Sequence, residues 1–325
     1  MSDRVLVTGG TGFIGTYVVR ALLEAGRDVV AFDVRGLTDE GRFLLGDRVD
    51  DFAIEQGSIE DWSRVLHVVE QHRPADIVHL ATITHPVFLF TNPMPGFRVN
   101  LEGTMNVLEA TRFFDVRRLV YFSSIGVLPA RQYEPIDAAH PIFLPRDSVP
   151  TGVYGASKIA GEAFCFAYNQ AFGTDFRTVR PSAVYGFGMQ WPIFVKPMVE
   201  GAVRGEVVVF ESGGPFPRDY THAADLASLA VACLDGPDEA DRIFYGATGR
   251  PLVTAGEVAR IVMELVPGSR IDIPDVLTEA DQMELPYRGI LSVENARTQL
   301  GWEPRYADIR DGLADYVERY TAFLA

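Results

Sequence analysis

Short apolar runs alternate with helically spaced ones along the first half of the chain. Val5–Val7 is a run of β formers, and Asp28–Phe32, Phe52–Gln56, Ile77–Leu80, Leu119–Ser123 and Phe176–Arg180 repeat the pattern. Between these runs, apolar positions at helical spacing predict helices at Thr16–Glu24, Trp62–Gln71, Asn100–Phe114 and Tyr154–Phe172. Gly26 closes the first of them at a position that favours glycine. Strands that are apolar throughout, separated by helices, predict a parallel sheet covered on both faces. Right-handed crossovers then make that sheet doubly wound. After Arg180 the texture changes, because Pro181, Pro192, Pro197, Gly205, Gly213, Gly214, Pro215 and Pro217 cut the chain into shorter pieces. Helices are expected at Ile193–Arg204, Ala223–Leu234 and Thr254–Leu265. The pattern divides the chain into residues 1–180 and a smaller lobe, 181–325, some of whose segments can return to the main sheet.

The sharpest local signal is Thr8-Gly9-Gly10-Thr11-Gly12-Phe13-Ile14-Gly15, which lies between the first strand and the first helix. That is the setting a dinucleotide site requires. Gly9 allows the tight turn, Gly12 lets the backbone approach a pyrophosphate, and Gly15 lets the helix lie close on the strand. The N–H groups of the helix N-terminus then face the phosphates. Asp33 ends the second strand, where a carboxylate accepts hydrogen bonds from the adenine ribose and repels a 2′-phosphate. NAD is therefore expected rather than NADP, although Arg35 nearby is a counter-signal.

A second signal is Tyr154-Gly155-Ala156-Ser157-Lys158. The tyrosine and lysine stand one helical turn apart on one face. An ammonium and a positively charged nicotinamide ring lower a phenol's pKa toward working pH. The phenolate can then take a hydroxyl proton while a hydride departs.

Composition narrows the field. The chain has 325 residues and a net charge of −15, which makes it a poor partner for a phosphate backbone, so no nucleic acid is expected. Two cysteines, Cys165 and Cys233, are too few for a disulfide framework or a cysteine zinc site, and no metal is expected. No apolar stretch reaches membrane-spanning length. The chain begins directly at a strand without a leader pattern. A reducing, cytoplasmic setting is the expectation.

These motifs resemble the extended short-chain dehydrogenases/reductases of the NAD-dependent epimerase/dehydratase family. The pieces that carry the resemblance are TGGTGFIG (8–15), Asp33, HLAT (79–82), RVNLEGTMNVLEA (98–110), VYFSSIGV (120–127), YGASKIAGE (154–162), RPSAVYG (180–186), RDYTHAADLA (218–227) and NARTQLGWEP (295–304). It implies an α/β, Rossmann-type doubly wound parallel sheet with a smaller C-terminal substrate lobe. By the same likeness, Ser124 orients the reacting oxygen, Tyr154 is the general acid/base, and Lys158 tunes it and reaches the nicotinamide ribose. The cofactor NAD is expected along Gly9, Gly12, Phe13, Ile14, Gly15, Asp33, Ser58, Ile59, Leu80, Ala81, Thr82, Pro181 and Val184. Asn100 either anchors the active-site backbone or caps a helix. His79 reads as a satisfied core histidine. His85, Trp191 and Arg218 are the candidate substrate contacts, and Phe88, Leu89, Phe90 and Met94 an apolar loop at the mouth. The resemblance also implies a homodimer built on the Asn100–Phe114 and Tyr154–Phe172 helices.

The departures from the family pattern bear on the reaction. Ile125 and Gly126 follow Ser124 where family dehydratases carry an acidic pair, so sugar dehydration is not expected. Ala183 replaces an asparagine that contacts the sugar diphosphate in many members, and the stretch Leu285–Ile290 keeps one arginine, Arg288. A single Arg218 fits a small polar, sugar-like or hydroxy-acid substrate. The expected activity is thus reversible hydride transfer between NAD and a secondary alcohol of such a substrate. A nucleotide-sugar 4-epimerase using the same three residues is the alternative. A non-catalytic NAD-binding sensor is a further one, which the intact Ser124, Tyr154 and Lys158 disfavour.

Overall fold

The computed structural model describes residues 3–142, 152–191 and 194–325. The chain opens with β1 (Val5–Thr8), α1 (Phe13–Glu24), β2 (Val29–Asp33), α2 (Asp39–Leu45), β3 (Ala53–Gln56), α3 (Trp62–His72) and β4 (Asp76–His79). Next come α4 (Pro86–Thr91), α5 (Pro93–Phe97), a π-helical turn at Arg98–Glu102, α6 (Gly103–Phe113), β5 (Arg118–Phe122), α7 (Gly152–Phe172) and β6 (Phe176–Pro181). The remainder is β7 (Ala183–Tyr185), α8 (Val195–Val203), β8 (Val207–Val209), β9 (Pro217–Arg218), β10 (Tyr220–His222), α9 (Ala223–Asp235) and β11 (Ile243–Gly246). It ends with β12 (Val253–Thr254), α10 (Ala255–Leu265), β13 (Arg270–Asp272), α11 (Glu279–Glu284), α12 (Glu294–Leu300) and α13 (Ile309–Leu324).

Seven of these strands form one sheet in the order β11-β6-β5-β4-β1-β2-β3. Every pairing within it is parallel. Strand order reverses between β1 and β4, so the crevice of this doubly wound sheet opens there at the carboxyl edge. Alternation along each strand explains the two cores. Val5, Val7, Val29 and Ala31 pack with α1 and α9 on one face, joined by α8, α10 and α13. Leu6, Val30, Ile77 and Leu119 pack on the other with α3, α6 and α7. Gly26 has a φ of +77° after α1, the left-handed geometry expected of it.

Chain beyond Arg180 contributes to the main sheet: β11 pairs with β6, and α9 packs into the same face as α1. The rest of this portion forms short two-stranded pairs, β10–β7, β12–β9 and β13–β8. Two local expectations change. Phe88–Met94 is not a loop: α4 and α5 fill it, each started by a proline at its first turn and with Leu89 buried. The helix expected from Ile193 starts at Val195, and Ile193 lies outside the described residues.

Candidate active site

The glycine loop turns at the end of β1 because Gly9, at φ +71°, can adopt a conformation that side chains disfavour. Space demands glycine as well: a Cβ on Gly9 would lie 2.8 Å from the Ala81 nitrogen, and one on Gly15 would lie 2.0 Å from the Gly9 carbonyl. Gly12 differs, since a Cβ there would meet only the Gly9 oxygen at 3.2 Å and otherwise open space. The open side of Gly12 is where a ligand can approach the backbone. Gly12 is also the N-cap of α1, whose first-turn N–H groups have no carbonyl within the helix to bond. Asp33 sits across this loop, accepting from Thr11 N at 3.3 Å and Val34 N at 2.8 Å. Arg35 is turned to Gln190, at 3.1 Å. The segment after β4 completes the crevice: Leu80 N donates to the Thr8 carbonyl, and the buried Thr82 hydroxyl has no partner among the described residues. These residues fit a dinucleotide with a free adenine ribose.

The other expected cofactor residues lie around this crevice with uneven access. Ile59 is 4% exposed and packs where a Cβ on Gly103 would collide with it, while its carbonyl accepts from Asn106 Nδ2 at 2.9 Å. The Ser58 hydroxyl is engaged by Glu60 at 3.0 Å. Pro181 ends β6 beside Gly246, and Val184 stands in β7 opposite Thr221. Asn100 is not a helix cap. It is buried inside the π-helical turn, where it accepts from Ile83 N at 2.7 Å and donates to the Ile83 carbonyl at 3.0 Å and to Ser157 Oγ at 3.2 Å. It therefore ties the cofactor-side segment to the first turns of α7. His79 is clamped between the Thr8 and Thr104 hydroxyls, at 2.6 and 3.0 Å. Burial and the nearby Lys158 push its pKa down to about 3, so it is a neutral structural residue.

Ser124, Tyr154 and Lys158 converge at the carboxyl end of β5. Ser124 caps a short 3₁₀ turn, accepting from Gly126 N at 2.9 Å, and its hydroxyl also hydrogen-bonds Tyr154. Burial raises the Tyr154 phenol above its ordinary value, and the Ser124 bond only partly offsets this. Lys158 donates to the Phe122 carbonyl at 2.8 Å, with its Nζ 5.8 Å from the centre of the Tyr154 ring. Burial lowers its pKa to about 7. The expected lowering of the phenol by its neighbours is thus absent from the chain by itself. Desolvation wins, and a bound positive ring is the remaining source of that lowering.

The substrate candidates fall into two groups. His85 caps α4, accepting from Phe88 N at 3.1 Å, and its ring centre lies 4.1 Å from that of Trp191. Trp191 Nε1 donates to Thr84 Oγ1 at 3.1 Å, so Thr84, His85 and Trp191 form one wall. Arg218 lies elsewhere. It is not paired with Asp219, which accepts from Thr221 and Thr248, nor with Asp225, which accepts from Arg305 N and Tyr306 N. Its guanidinium lies 4.7 Å from the centre of the buried Phe216 ring, and that of Arg288 lies 5.3 Å from the same ring. The Nε atoms of both are buried without partners among the described residues. Burial and the charge of Arg288 both lower the pKa of Arg218. Arg288 and Thr84 both lie outside the site residues that the sequence predicts. No local pattern marks either, because the stretches that meet here are far apart in the chain.

A Rossmann-type sheet with a glycine loop, an acidic residue closing β2 and a Ser–Tyr–Lys cluster defines a short-chain dehydrogenase/reductase type of NAD-dependent enzyme. A model of the NAD dependent epimerase/dehydratase family matches residues 5–245, and the chain belongs to that family. It is 27% identical to a UDP-glucose 4-epimerase of Lacticaseibacillus casei over 94% of this chain and 93% of the relative. The Thermus thermophilus UDP-glucose 4-epimerase in complex with NAD is 26% identical, with a TM-score of 0.77 and coverage of 98% of each chain. The Thermotoga maritima UDP-glucose 4-epimerase with UDP-glucose shares the fold at a TM-score of 0.85 and 24% identity, over 99% of this chain and 100% of that one. The protein is an enzyme and its cofactor is NAD. No described helix is long and apolar enough to cross a membrane.

Proposed function

We propose that the enzyme is a nucleoside-diphosphate-sugar 4-epimerase. The observation that carries this reading is the pair Arg218 and Arg288 over Phe216, with both Nε atoms buried and unpartnered among the described residues. Arg288 also meets the exposed carboxylate of Glu284, whereas Arg218 has no carboxylate partner among the described residues, so the pair keeps unmet N–H donors that an anion would satisfy. A diphosphate carries enough charge and enough acceptor oxygens for two guanidinium groups. A small hydroxy acid does not need the second arginine, so the pair favours the alternative over the small-substrate reading. The relatives at 26–27% identity that are UDP-glucose 4-epimerases point the same way. Ala183 offers no donor, and the arginine pair supplies the diphosphate contact in its place.

NAD supplies hydride acceptance and return. Tyr154 takes the proton of the sugar 4-hydroxyl and later gives it back. Ser124 holds that oxygen by a hydrogen bond, while Lys158 keeps positive charge beside the phenol. Ile125 and Gly126 provide no acid to expel water, so the sugar keeps all its hydroxyls. The wall of Thr84, His85 and Trp191 faces the sugar. His85 accepts from backbone at Nδ1, which leaves Nε2 to donate.

The test is incubation of the enzyme with UDP-glucose and UDP-galactose. Interconversion without accumulation of NADH absorbance supports the reading. Steady NADH formation from a simple sugar acid or polyol, with no binding of UDP in calorimetry, replaces it with the dehydrogenase.

The same proposal includes a homodimer through α6 and α7. Phe113, Phe164, Phe166 and Phe172 are exposed on these helices, and Arg112 lies over Phe113 and Phe172. That is more exposed apolar surface than a lone helix pair usually carries. Light scattering should report twice the chain mass of 35.9 kDa. A particle of one chain at micromolar concentration removes this part. Both cysteines are buried and unpaired, in keeping with a cytoplasmic setting.

A further inference from the structure

One buried charged cluster has no part in the chemistry described so far. Glu162 follows Lys158 by one turn of α7, so the two side chains share a face. They are 3% and 2% exposed. Arg180, on the neighbouring β6, grips Glu162 twice, from Nε to Oε1 at 2.9 Å and from Nη2 to Oε2 at 2.7 Å. Its third nitrogen donates to Tyr245 Oη at 3.1 Å, and Tyr245 donates in turn to the Asp137 carbonyl at 3.2 Å. The cluster thus has a rigid frame from three parts of the chain. A buried ion pair is a poor device for stability alone, because desolvation of both ions offsets their attraction.

We propose that Glu162 is a positioning residue for the reaction: its carboxylate, locked by Arg180 one helical turn from Lys158, is the negative charge on the buried face of the ammonium that the Phe122 carbonyl holds beside Tyr154. The proposal rests on the reading of Tyr154 and Lys158 as the acid–base pair and does not depend on which sugar binds. The surroundings of Lys158 leave Glu162 this task. On its own helix lie Tyr154, Glu162 and Cys165, whose thiol burial keeps protonated. From β5 comes the Tyr121 ring, 5.1 Å from Nζ, and burial keeps that phenol protonated too. From β4 comes His79, neutral for the reason given above. From β6 comes Arg180, whose charge is directed at Glu162. Burial drives Lys158 toward losing its proton, and Glu162 opposes it. Among the described residues Glu162 shares the buried face of α7 with Lys158 without a direct ion pair to it, so its charge acts through space.

The experiment compares the wild type with Glu162→Gln, Glu162→Asp and the double variant Glu162→Gln/Arg180→Gln, which leaves no stranded guanidinium. Unfolding stability of each is measured against pH beside its Lys158→Met counterpart. The difference between the two curves reads the Lys158 titration without any substrate. In Glu162→Gln and in the double variant the Lys158 midpoint should fall by about one pH unit or more, while Glu162→Asp keeps it near the wild-type value. The alkaline limb of kcat/KM should move down by a similar amount in the first two proteins. A midpoint and limb unmoved in the double variant, with activity lowered evenly at every pH, overturn the proposal and leave the pair a structural one. Where Glu162→Gln alone does not fold, the double variant decides. Lys158→Met with wild-type kcat would instead sink the acid–base reading itself.

Discussion

Two cationic clusters in this enzyme are built in opposite ways. At the carboxyl end of β5, Lys158 donates to the Phe122 carbonyl and has Glu162 one turn away, itself held by Arg180. In the C-terminal portion, Arg218 and Arg288 crowd over Phe216 with their Nε atoms unmet among the described residues. The first cluster is positioned by the chain alone, and only the lowering of the Tyr154 phenol waits for a bound positive ring. In the second, Arg288 pairs with Glu284 while Arg218 has no carboxylate among the described residues, and on the proposed reading an incoming anion completes it. Preorganised groups lower a barrier because they need no rearrangement in the transition state, whereas unmet donors contribute binding energy. On the proposed reading the first cluster therefore serves rate and the second affinity.

Removing the phenol tests the first half of that assignment hardest. Tyr154→Phe should lose about 10²–10⁴-fold in turnover, the usual worth of a general acid/base, with NAD binding little changed. A variant that keeps a third of the wild-type rate would break the comparison. On the other side, Arg218→Ala and Arg288→Ala should each weaken UDP binding by about tenfold or more in calorimetry, the worth of one charged hydrogen bond. Their kcat at saturating substrate should fall far less than that of Tyr154→Phe. Equal losses of kcat in all three would erase the distinction.

A smaller effect concerns the cofactor end. With Arg35 already exposed near the crevice, Asp33→Ser should relax the preference for NAD and raise kcat/KM with NADP several-fold. Unchanged discrimination would show that Asp33 does not set it.

The smallest effect is one of stability and carries a definite sign. Lys158 is held below its ordinary value, at about 7, so between that pH and the unfolded value the unfolded chain binds more protons. Stability of the cofactor-free enzyme should then rise with pH across this window. Lys158→Met should raise Tm by a few degrees below pH 7, with the gain shrinking toward pH 10. A gain independent of pH would mean that packing, not charge, is responsible. The variant is expected to be inactive, the trade that a working site imposes on stability.

Ser124 entered through the likeness of VYFSSIGV to the family, whereas the chain by itself determined the six strands from β1 to β6, the glycine loop at the end of β1 and the one-turn spacing of Tyr154 and Lys158. Each of these is written in local terms: a run of apolar residues, a turn that only glycine can make, or two side chains one helical turn apart. Tertiary structure decided what depends on residues distant in sequence. It brought Ile243–Gly246 into the main sheet as β11, set Glu162 against Arg180, and turned Asn100 onto Ile83 instead of a helix end. It also placed Arg288 beside Arg218, and it let burial prevail over the expected lowering of the Tyr154 phenol. Desolvation and like-charge repulsion depend on what surrounds a group in space. No pattern along the chain carries that information until the sheet has brought the pieces together.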